Sequence, residues 1–325
     1  MSGSGVSCRH AFTATLLEEA RANPRIFAVT SDAKGSVTLG NFEKALPAQF
    51  VEIGIAEQNA VGIGAGLARS GKRVFVCGPA SFYSARSAEQ VKNDVAYSGV
   101  DVKIAGVSGG VSYGALGSTH HSLHDIALYR AIPNLSVIIP SDAHQTSAVT
   151  SYLARHPGPV YMRIGRGAVP DVYASSEGSF EFGQATELRT GSDCAIIACG
   201  ETVHHALEAE KLLRDEGVTC TVLDMPTIKP IDEDSVLRAA RNSGRVVTIE
   251  EHSIYGGLGS AVAEILSQNL PVPLSILGFP DEFVPAGESA ALYDYYGLTA
   301  SKLAVTIGRF VRSGRKSHHT IKAQQ

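Results

Sequence analysis

A carboxylate at a predicted strand-to-helix junction could take part in acid–base chemistry. Glu57 lies in the string EIGIAEQNAVGIGAGLA, residues 52–68, where a short apolar strand gives way to a segment rich in Ala and Gly. An acid near a helix N-terminus stabilises the helix, and an acid in an apolar pocket can exchange a proton with a bound group. The residue types alone leave both roles open for Glu57.

Three glycines in the same string are spaced as G-x-G-x-G. Gly62, Gly64 and Gly66 come well after the strand, whereas the glycines of a dinucleotide-binding loop follow the strand directly. Close packing of a helix explains these three glycines better than a phosphate-binding loop.

A histidine-rich run is the second group of residues that could do chemistry. His120, His121, His124 and Asp125 lie in GSTHHSLHD, residues 117–125. On a helix, His120 and His124 would share one face at the i, i+4 spacing of some metal sites. Nothing resembling the H-E-x-x-H zinc motif occurs in the sequence, so we predict no metal ligands in this chain.

The elements that position these residues follow an α/β pattern. Apolar, β-branched runs alternate with amphipathic segments, first from Ile26, Phe50, Arg73, Val102 and Leu135, and again from Cys194, Cys220, Arg245 and Pro273. This alternation is typical of βαβ units with mainly parallel sheets. Ligands of such sheets bind beyond the carboxyl ends of the strands. We therefore expect Asp32, Glu57 and the histidine run to meet in one cleft.

The length and the two series of strands predict two doubly wound α/β domains. At about 150 residues per domain, 325 residues give about two domains. We place the first at 7–170 and a smaller second one at 191–312, joined by a linker at 171–190 that is rich in Gly, Ser and charge. Residues 1–6 are predicted to be a disordered N-terminus, and 313–325 a basic, aperiodic tail.

Composition excludes several classes of function. The net charge of −4 gives no general attraction to nucleic acid or to anionic membranes. No run approaches the roughly 18 apolar residues of a membrane span. The five cysteines are odd in number and form no C-x-x-C pair, which argues against a disulfide framework and favours a reducing, cytoplasmic location.

Several motifs together resemble one enzyme family. GIAEQNAVGIGAGLA, from Gly54, resembles the glutamate motif of the pyrimidine-binding domain in transketolases and deoxyxylulose-phosphate synthases, which use thiamine diphosphate. The resemblance continues through FYSARSAEQVKNDVAY from Phe82, the histidine run and its sequel from Gly117, and GPVYMRIGRG from Gly158. Residues 6–312 follow the order of the second half of a transketolase. The resemblance implies a pyrimidine-binding domain, then a transketolase C-terminal-like domain, and two-carbon ketol transfer.

The resemblance assigns cofactor contacts to particular residues. It implies that Glu57 hydrogen-bonds N1′ of the thiamine aminopyrimidine and stabilises the imino tautomer, whose nitrogen removes the thiazolium C2 proton. Phe82 is implied to stack on the pyrimidine. The same resemblance places three further residues beside the cofactor: Asp32, Ile55 and Arg86.

The resemblance also assigns substrate contacts. His120 matches the transketolase histidine that contacts substrate oxygen atoms and can shuttle protons. Arg9, Ser36 and Arg166 fall where transketolases keep an Arg, a Ser and an Arg for a sugar phosphate, and the planar guanidinium suits phosphate. A phosphorylated sugar substrate is therefore expected.

The substrate motif departs from the common transketolase pattern. Where D-G-P-T-H-Q is usual, this chain has LGSTHH from Leu116, so Leu replaces the Asp and His121 replaces the Gln. Ser108 stands twelve residues before His120, where a second substrate-contacting His is common. Loss of a carboxylate acceptor changes which hydroxyl groups are recognised. With Ser108 and His121 as substrate-binding residues, we expect an unusual donor such as apulose 4-phosphate or a sulfonated ketose, with xylulose 5-phosphate as the rival.

One family motif is missing from the sequence. Thiamine diphosphate enzymes hold the diphosphate and Mg²⁺ through a G-D-G stretch and a downstream Asn, and no GDG occurs here. Since Mg²⁺ prefers oxygen ligands, we expect an N-terminal transketolase subunit carrying the GDG motif to supply them. The resemblance then implies an α2β2 assembly.

Two other functions stay open at the level of sequence. The β subunit of a 2-oxo acid dehydrogenase has the same pair of domains, lacks the diphosphate motif and requires a lipoyl-bearing acceptor. A non-catalytic subunit that only completes a dimer is the second alternative. The THHSLHD run favours sugar transfer over the dehydrogenase.

Overall fold

The computed structural model describes residues 5–319, with side chains described as far as residue 313. The α-helices within these residues are α1 (Cys8–Ala22), α2 (Lys34–Val37), α3 (Gly40–Ala45), α4 (Glu57–Arg69), α5 (Ala80–Arg86), α6 (Ala88–Gln90), α7 (Asp125–Arg130), α8 (Ala143–Arg155), α9 (Thr202–Asp215), α10 (Glu233–Ser243), α11 (Leu258–Asn269), α12 (Ser289–Tyr295) and α13 (Ala300–His319). Short 3₁₀ turns cover Pro47–Gln49 and Gly114–Leu116, and Val91–Tyr97 is π-helical.

The strands form two sheets. They are β1 (Ile26–Thr30), β2 (Phe50–Glu52), β3 (Arg73–Pro79), β4 (Val102–Val107), β5 (Ser136–Ile138), β6 (Val160–Ile164), β7 (Thr186–Arg189), β8 (Cys194–Ala198), β9 (Cys220–Asp224), β10 (Thr227–Lys229), β11 (Val246–Ser253) and β12 (Leu274–Phe279). The first sheet has the order β10-β5-β6-β4-β3-β1-β2 and the second the order β12-β11-β8-β9-β7. The predicted pair of mainly parallel α/β sheets is confirmed.

Helices cover both faces of the first sheet, which explains its apolar strands. Every residue of β4 and β6 is buried, as expected for strands covered on both sides. Among the glycines of α4, a Cβ on Gly64 would lie 2.7 Å from Val76 Cγ2, whereas Gly62 and Gly66 face open space. Close helix packing therefore accounts for Gly64 but not for the other two.

A strand from the second half of the chain completes the first sheet. In β10, Thr227 pairs with Ile138 and Lys229 with Val137, antiparallel to β5. The two domains are therefore joined by backbone hydrogen bonds as well as by the chain. This pairing holds the second domain at the β5 edge of the first sheet.

Two elements of the structure cross predicted boundaries. The predicted linker 171–190 contains β7, which pairs antiparallel with β9. The sequence does not indicate this strand, because it is short and its residues alternate in exposure, which leaves a weak apolar signal. The predicted tail 313–325 begins inside α13, which continues to His319. Val311 is buried, and the helix continues past it through Gly314, a poor helix former, so the residue types do not predict this extension. Residues 1–4 and 320–325 lie outside the described part.

The state of the cysteines and the apolar character of the helices relate to the expected cytoplasmic location. Cys8, Cys77, Cys194, Cys199 and Cys220 are all buried, and none forms a disulfide. In the part of the chain that the structure describes, no helix has the length and apolar character to cross a bilayer. The cytoplasmic location stays a prediction.

A buried ion cluster joins the two domains beneath the sheet edge. Arg163 of β6 donates through Nη2 to the backbone oxygen of Glu251 at 2.6 Å and to its Oε2 at 3.2 Å. The Nε atom of Arg163 lies 3.7 Å from Oδ2 of Asp125, which also accepts the Tyr161 hydroxyl at 2.5 Å. Because these side chains are nearly fully buried, each charge depends on its partner.

We expect Arg163→Leu to lower the free energy of unfolding by about 3–5 kcal/mol, since it leaves two buried carboxylates unpaired. The matched control is Arg155→Leu, which removes an exposed guanidinium 2.6 Å from Glu19 and should cost less than about 1 kcal/mol. Urea unfolding of the full chain measures both. Equal losses for the two variants would contradict the role assigned to the cluster.

Candidate active site

The carboxyl ends of neighbouring parallel strands gather most of the predicted site residues along one edge. Asp32 follows β1, Glu57 follows β2, Phe82 follows β3, Ser108 follows β4 and Arg166 follows β6. Asp32 and Ser108 have φ angles of 53° and 59°. A left-handed backbone is uncommon outside glycine and clusters at functional sites.

Glu57 is a buried carboxylate with one charged partner. Its side chain is only 3% exposed, and its Oε2 accepts a hydrogen bond from Arg86 Nη1 at 2.9 Å. The N-cap position of α4 is Ala56, with no side-chain cap hydrogen bond. Glu57 is therefore the first residue of the helix rather than its cap. Arg86 at the end of α5 holds it, which favours the acid–base role over capping.

An aromatic ring connects this carboxylate to the histidine run. The Arg86 guanidinium lies 4.9 Å from the centroid of the Phe82 ring. The half-buried Phe82 ring meets the His120 ring edge-on, with the centroids 5.2 Å apart. Glu57, Arg86, Phe82 and His120 thus form one continuous row of contacts.

Tyr113 extends the row and was not predicted. Its ring lies 5.4 Å from the His120 ring, and the Arg166 guanidinium stands 4.8 Å from the Tyr113 centroid. Arg166 Nη1 also donates to Ser108 Oγ at 3.3 Å. An aromatic residue inside the Gly-rich GVSGGVSYGALG, between Ser108 and His120, is the sequence signal that could have identified it.

Two guanidinium groups come together at the far end of the row. Arg9 Nη1 donates to the backbone oxygen of Ser36 at 3.0 Å. Burial lowers the pKa of Arg9, and the nearby Arg166 charge lowers it further. Arg9, Ser36 and Arg166 therefore lie in one region, where two like charges favour an anion.

Other predicted residues lie apart from the row. His121 is buried, with its Nε2 3.1 Å from the backbone oxygen of Gly114, and it lines a separate cavity of about 380 Å³ that includes Phe283. Burial lowers the pKa of His121. This placement separates His121 from the other predicted substrate-binding residues, because adjacent residues of a turn point in different directions, and its substrate-binding role stays a prediction. Ile55 is 77% exposed and Asp32 is also exposed.

His120 and His124, whose i, i+4 spacing suggested a metal site, do not lie on one helix. His120 lies in a turn, and α7 begins only at Asp125. Within residues 5–319, no group of three or more His, Cys, Asp or Glu side chains could hold a metal ion.

A cavity of about 610 Å³ lies beside Arg9 and Arg166 and is lined on its other side by the second domain. Its second-domain lining includes Glu201, which retains some exposed surface although its Oε1 atom is buried. Burial raises the pKa of Glu201, and the neighbouring Glu251 charge adds to the effect. Burial lowers the pKa of His205 in the same lining to about 4.

Two family models cover most of the chain. Residues 4–172 match the model described as transketolase, pyrimidine binding domain, and residues 183–303 match the model described as transketolase, C-terminal domain.

Curated proteins and a solved structure are also similar. An apulose-4-phosphate transketolase subunit of Phocaeicola vulgatus is 56% identical over 312 residues, which cover 96% of this chain and 100% of that protein. The 6-deoxy-6-sulfo-D-fructose transketolase subunit SqwH of Clostridium sp. is 39% identical over 91% of each chain. A structure described as a split gene transketolase, inactive beta4 tetramer, is 41% identical, with a TM-score of 0.87 over 95% of this chain and 99% of that one.

The Glu201 carboxyl makes stability depend on pH. Because its pKa is raised in the folded state, its contribution is complete at low pH and is lost as pH rises through the raised pKa. Between pH 5 and pH 9, Glu201→Gln should gain at least about 1 kcal/mol of unfolding free energy relative to the wild type. Urea unfolding across this range measures the change. Glu89→Gln, at an exposed position of α6, should follow the wild type; a Glu201→Gln curve parallel to both would refute the assignment.

Proposed function

The chain belongs to the transketolase family, and on that premise we propose that it is the C-terminal subunit of a split transketolase. The reaction is transfer of a two-carbon ketol unit from a ketose phosphate to an aldose phosphate. The observation that carries the proposal is the row of contacts from buried Glu57 through Phe82 and His120 to Arg166. It supplies an acid–base group at one end and an anion-binding group at the other.

The donor set at the Glu57 end suits the aminopyrimidine of thiamine diphosphate. To exchange a proton, a nitrogen of the aminopyrimidine ring requires a fixed carboxyl group in a pocket with little water. The face of the ring packs favourably against an aromatic side chain. Arg86 occupies Glu57 Oε2, which leaves Oε1 for the ring nitrogen, and half-buried Phe82 offers its ring nearby. When bound, thiamine diphosphate supplies the electron sink for the ketol unit.

The other side chains of the row act on the substrate. His120 lies between Phe82 and Tyr113, where it would hold or move a proton at a substrate hydroxyl. Arg9 and Arg166 would bind the phosphate, with Ser36 beside them. Tyr113 contacts both His120 and Arg166 and would keep the two groups at a fixed separation.

We propose that a partner chain completes the site. The sequence contains no GDG, so an N-terminal transketolase subunit would carry that motif and hold the diphosphate and Mg²⁺. Ile55 is exposed two residues before Glu57, where a partner could cover the pyrimidine. The proposal includes the cofactor contact predicted for Ile55. The similar split-gene structure is described as an inactive beta4 tetramer, which is consistent with a partner requirement. An α2β2 assembly follows from this proposal.

The donor is proposed to be an unusual ketose, either a phosphate such as apulose 4-phosphate or a sulfonated ketose. Leu116 takes the place of a hydroxyl-reading Asp, and Ser108 is engaged by Arg166 instead of presenting an imidazole. Two similar proteins are named for apulose 4-phosphate and for 6-deoxy-6-sulfo-D-fructose. The dehydrogenase alternative is not favoured, because these similar proteins are transketolase subunits.

Glu57→Gln should lower the turnover of the reconstituted two-chain complex by at least about 100-fold, because an amide cannot exchange the proton. Size-exclusion chromatography should show unchanged assembly with the partner. The matched control is Glu89→Gln, which removes an exposed carboxylate and should retain activity. Full activity in Glu57→Gln would instead favour the non-catalytic role.

Steady-state kinetics with three donors tests the specificity. The complex should have a higher kcat/KM with apulose 4-phosphate or 6-deoxy-6-sulfo-D-fructose than with xylulose 5-phosphate, since the hydroxyl-reading carboxylate is absent. A clear preference for xylulose 5-phosphate would reject the unusual donor while leaving ketol transfer in place.

A further inference from the structure

The loop that carries Tyr113 and His120 closes on itself at its two ends. Gly110 N donates to the backbone oxygen of Ser122 at 3.0 Å, and Ser122 N donates to the backbone oxygen of Gly110 at 2.7 Å. We call residues 110–122 the histidine loop. Because its ends are joined, the places of the two rings depend on the contacts that the loop makes between these ends.

The second domain binds the first turn of the histidine loop through both backbone groups of Val111. The Val111 amide donates to Glu251 Oε1 at 2.9 Å, and the Val111 oxygen accepts a hydrogen bond from Ser289 Oγ at 2.9 Å. Val111 is fully buried, and Ser289, the first residue of α12, is half-buried. The second domain therefore holds the loop two residues before Tyr113.

Two glycines of the histidine loop allow the second domain to approach closely. Gly110 and Gly114 have φ angles of 60° and 44°, a backbone conformation that favours glycine. A Cβ on Gly110 would collide with the Glu251 carboxyl group, and a Cβ on Gly114 would lie 2.6 Å from the backbone oxygen of Gly287. The glycines therefore stand where the second domain touches the loop, which gives this part of the Gly-rich string a structural reason.

The segment between β12 and α12 follows the histidine loop towards its histidine. Gly287 N donates to the backbone oxygen of Gly114 at 3.3 Å, and Ser118 Oγ donates to the backbone oxygen of Val284 at 2.6 Å. Ser118 stands two residues before His120. The second domain thus contacts the loop at its first turn, at its middle and directly before the residue that the proposed function places at the substrate.

We propose that Ser289 is a positioning residue for ketol transfer: it holds the histidine loop so that His120 and Tyr113 keep their places in the row. This inference rests on the proposed function, which gives His120 its role at the substrate. Ser289 acts through the backbone of Val111, whereas the rings of the row act directly. Since a displacement of about 1 Å can lower a rate about 100-fold, the second domain contributes to turnover by fixing the geometry of the loop.

Hydrogen exchange of the full chain, followed by mass spectrometry, tests the contact itself. In Ser289→Ala, peptides covering 110–122 should exchange about fivefold faster, the equivalent of one net hydrogen bond. Ser289→Thr keeps a hydroxyl and should exchange as the wild type does. The matched control is Ser243→Ala, which removes a half-buried hydroxyl that donates to the Ala239 oxygen at 2.8 Å within the second domain, and it should leave the loop unchanged. Unchanged exchange in Ser289→Ala would overturn the proposal, as would equal exchange in Ser289→Ala and Ser289→Thr.

A double-mutant cycle with His120 separates positioning from a general loss of structure. In the reconstituted two-chain complex, Ser289→Ala should lower kcat/KM about fivefold, and Ser289→Thr should retain the wild-type value. In a His120→Ala background, Ser289→Ala should lower kcat/KM by less than about twofold, because the side chain that it positions is gone. The same loss in both backgrounds would show a purely structural role and would overturn the proposal.

Failure of the proposed function has a different signature. A wild-type complex that transfers no ketol unit would reject the proposed function, and with it the role of Ser289 in turnover, while the exchange data would still show whether Ser289 holds the histidine loop. An active wild-type complex that Ser289→Ala matches in kcat/KM would reject the role of Ser289 alone.

Discussion

One ion pair determines the rest of the site: the Glu57 carboxylate is buried, so it depends on its partner, the half-exposed Arg86. Glu57 Oε2 and Arg86 Nη1 meet at 2.9 Å although they follow strands β2 and β3, which have β1 between them. The contact requires α4 to lie close to the sheet, and Gly64 allows this because a Cβ there would collide with Val76. Arg86 in turn lies against Phe82, so the position of the carboxylate fixes the start of the row.

The second domain packs against the first domain and also helps to form the region of the site. Strand β10 pairs with β5, and the Arg163 cluster connects β6 to Glu251, so the second domain is held against the same sheet edge as the row. This arrangement brings α12 and Glu201 to Arg9 and Arg166. In the proposed function, a single chain forms both an acid–base end and a phosphate end, and the described residues contain no metal-binding cluster.

Much of this could be predicted from the sequence, and the exceptions have physical reasons. Buried parallel strands are long apolar runs, so β1, β3 and β4 were evident, whereas β7 and β10 are short and their places are set by pairing across the fold. Glu57 and His120 were identified by motif. Tyr113 was missed because its contacts with His120 and Arg166 depend on the path of a loop. The direction of the His121 side chain could not be predicted, because adjacent residues of a turn point in different directions.

The central claim is that the Glu57 carboxyl meets the pyrimidine of thiamine diphosphate at a site completed by a second chain. The most direct measurement is a crystal structure of the two-chain complex with that cofactor bound. The account predicts N1′ within hydrogen-bond distance of Glu57, about 2.6–3.2 Å, with the ring against Phe82. A pyrimidine bound away from Glu57, or a complete cofactor site within this chain alone, would contradict it.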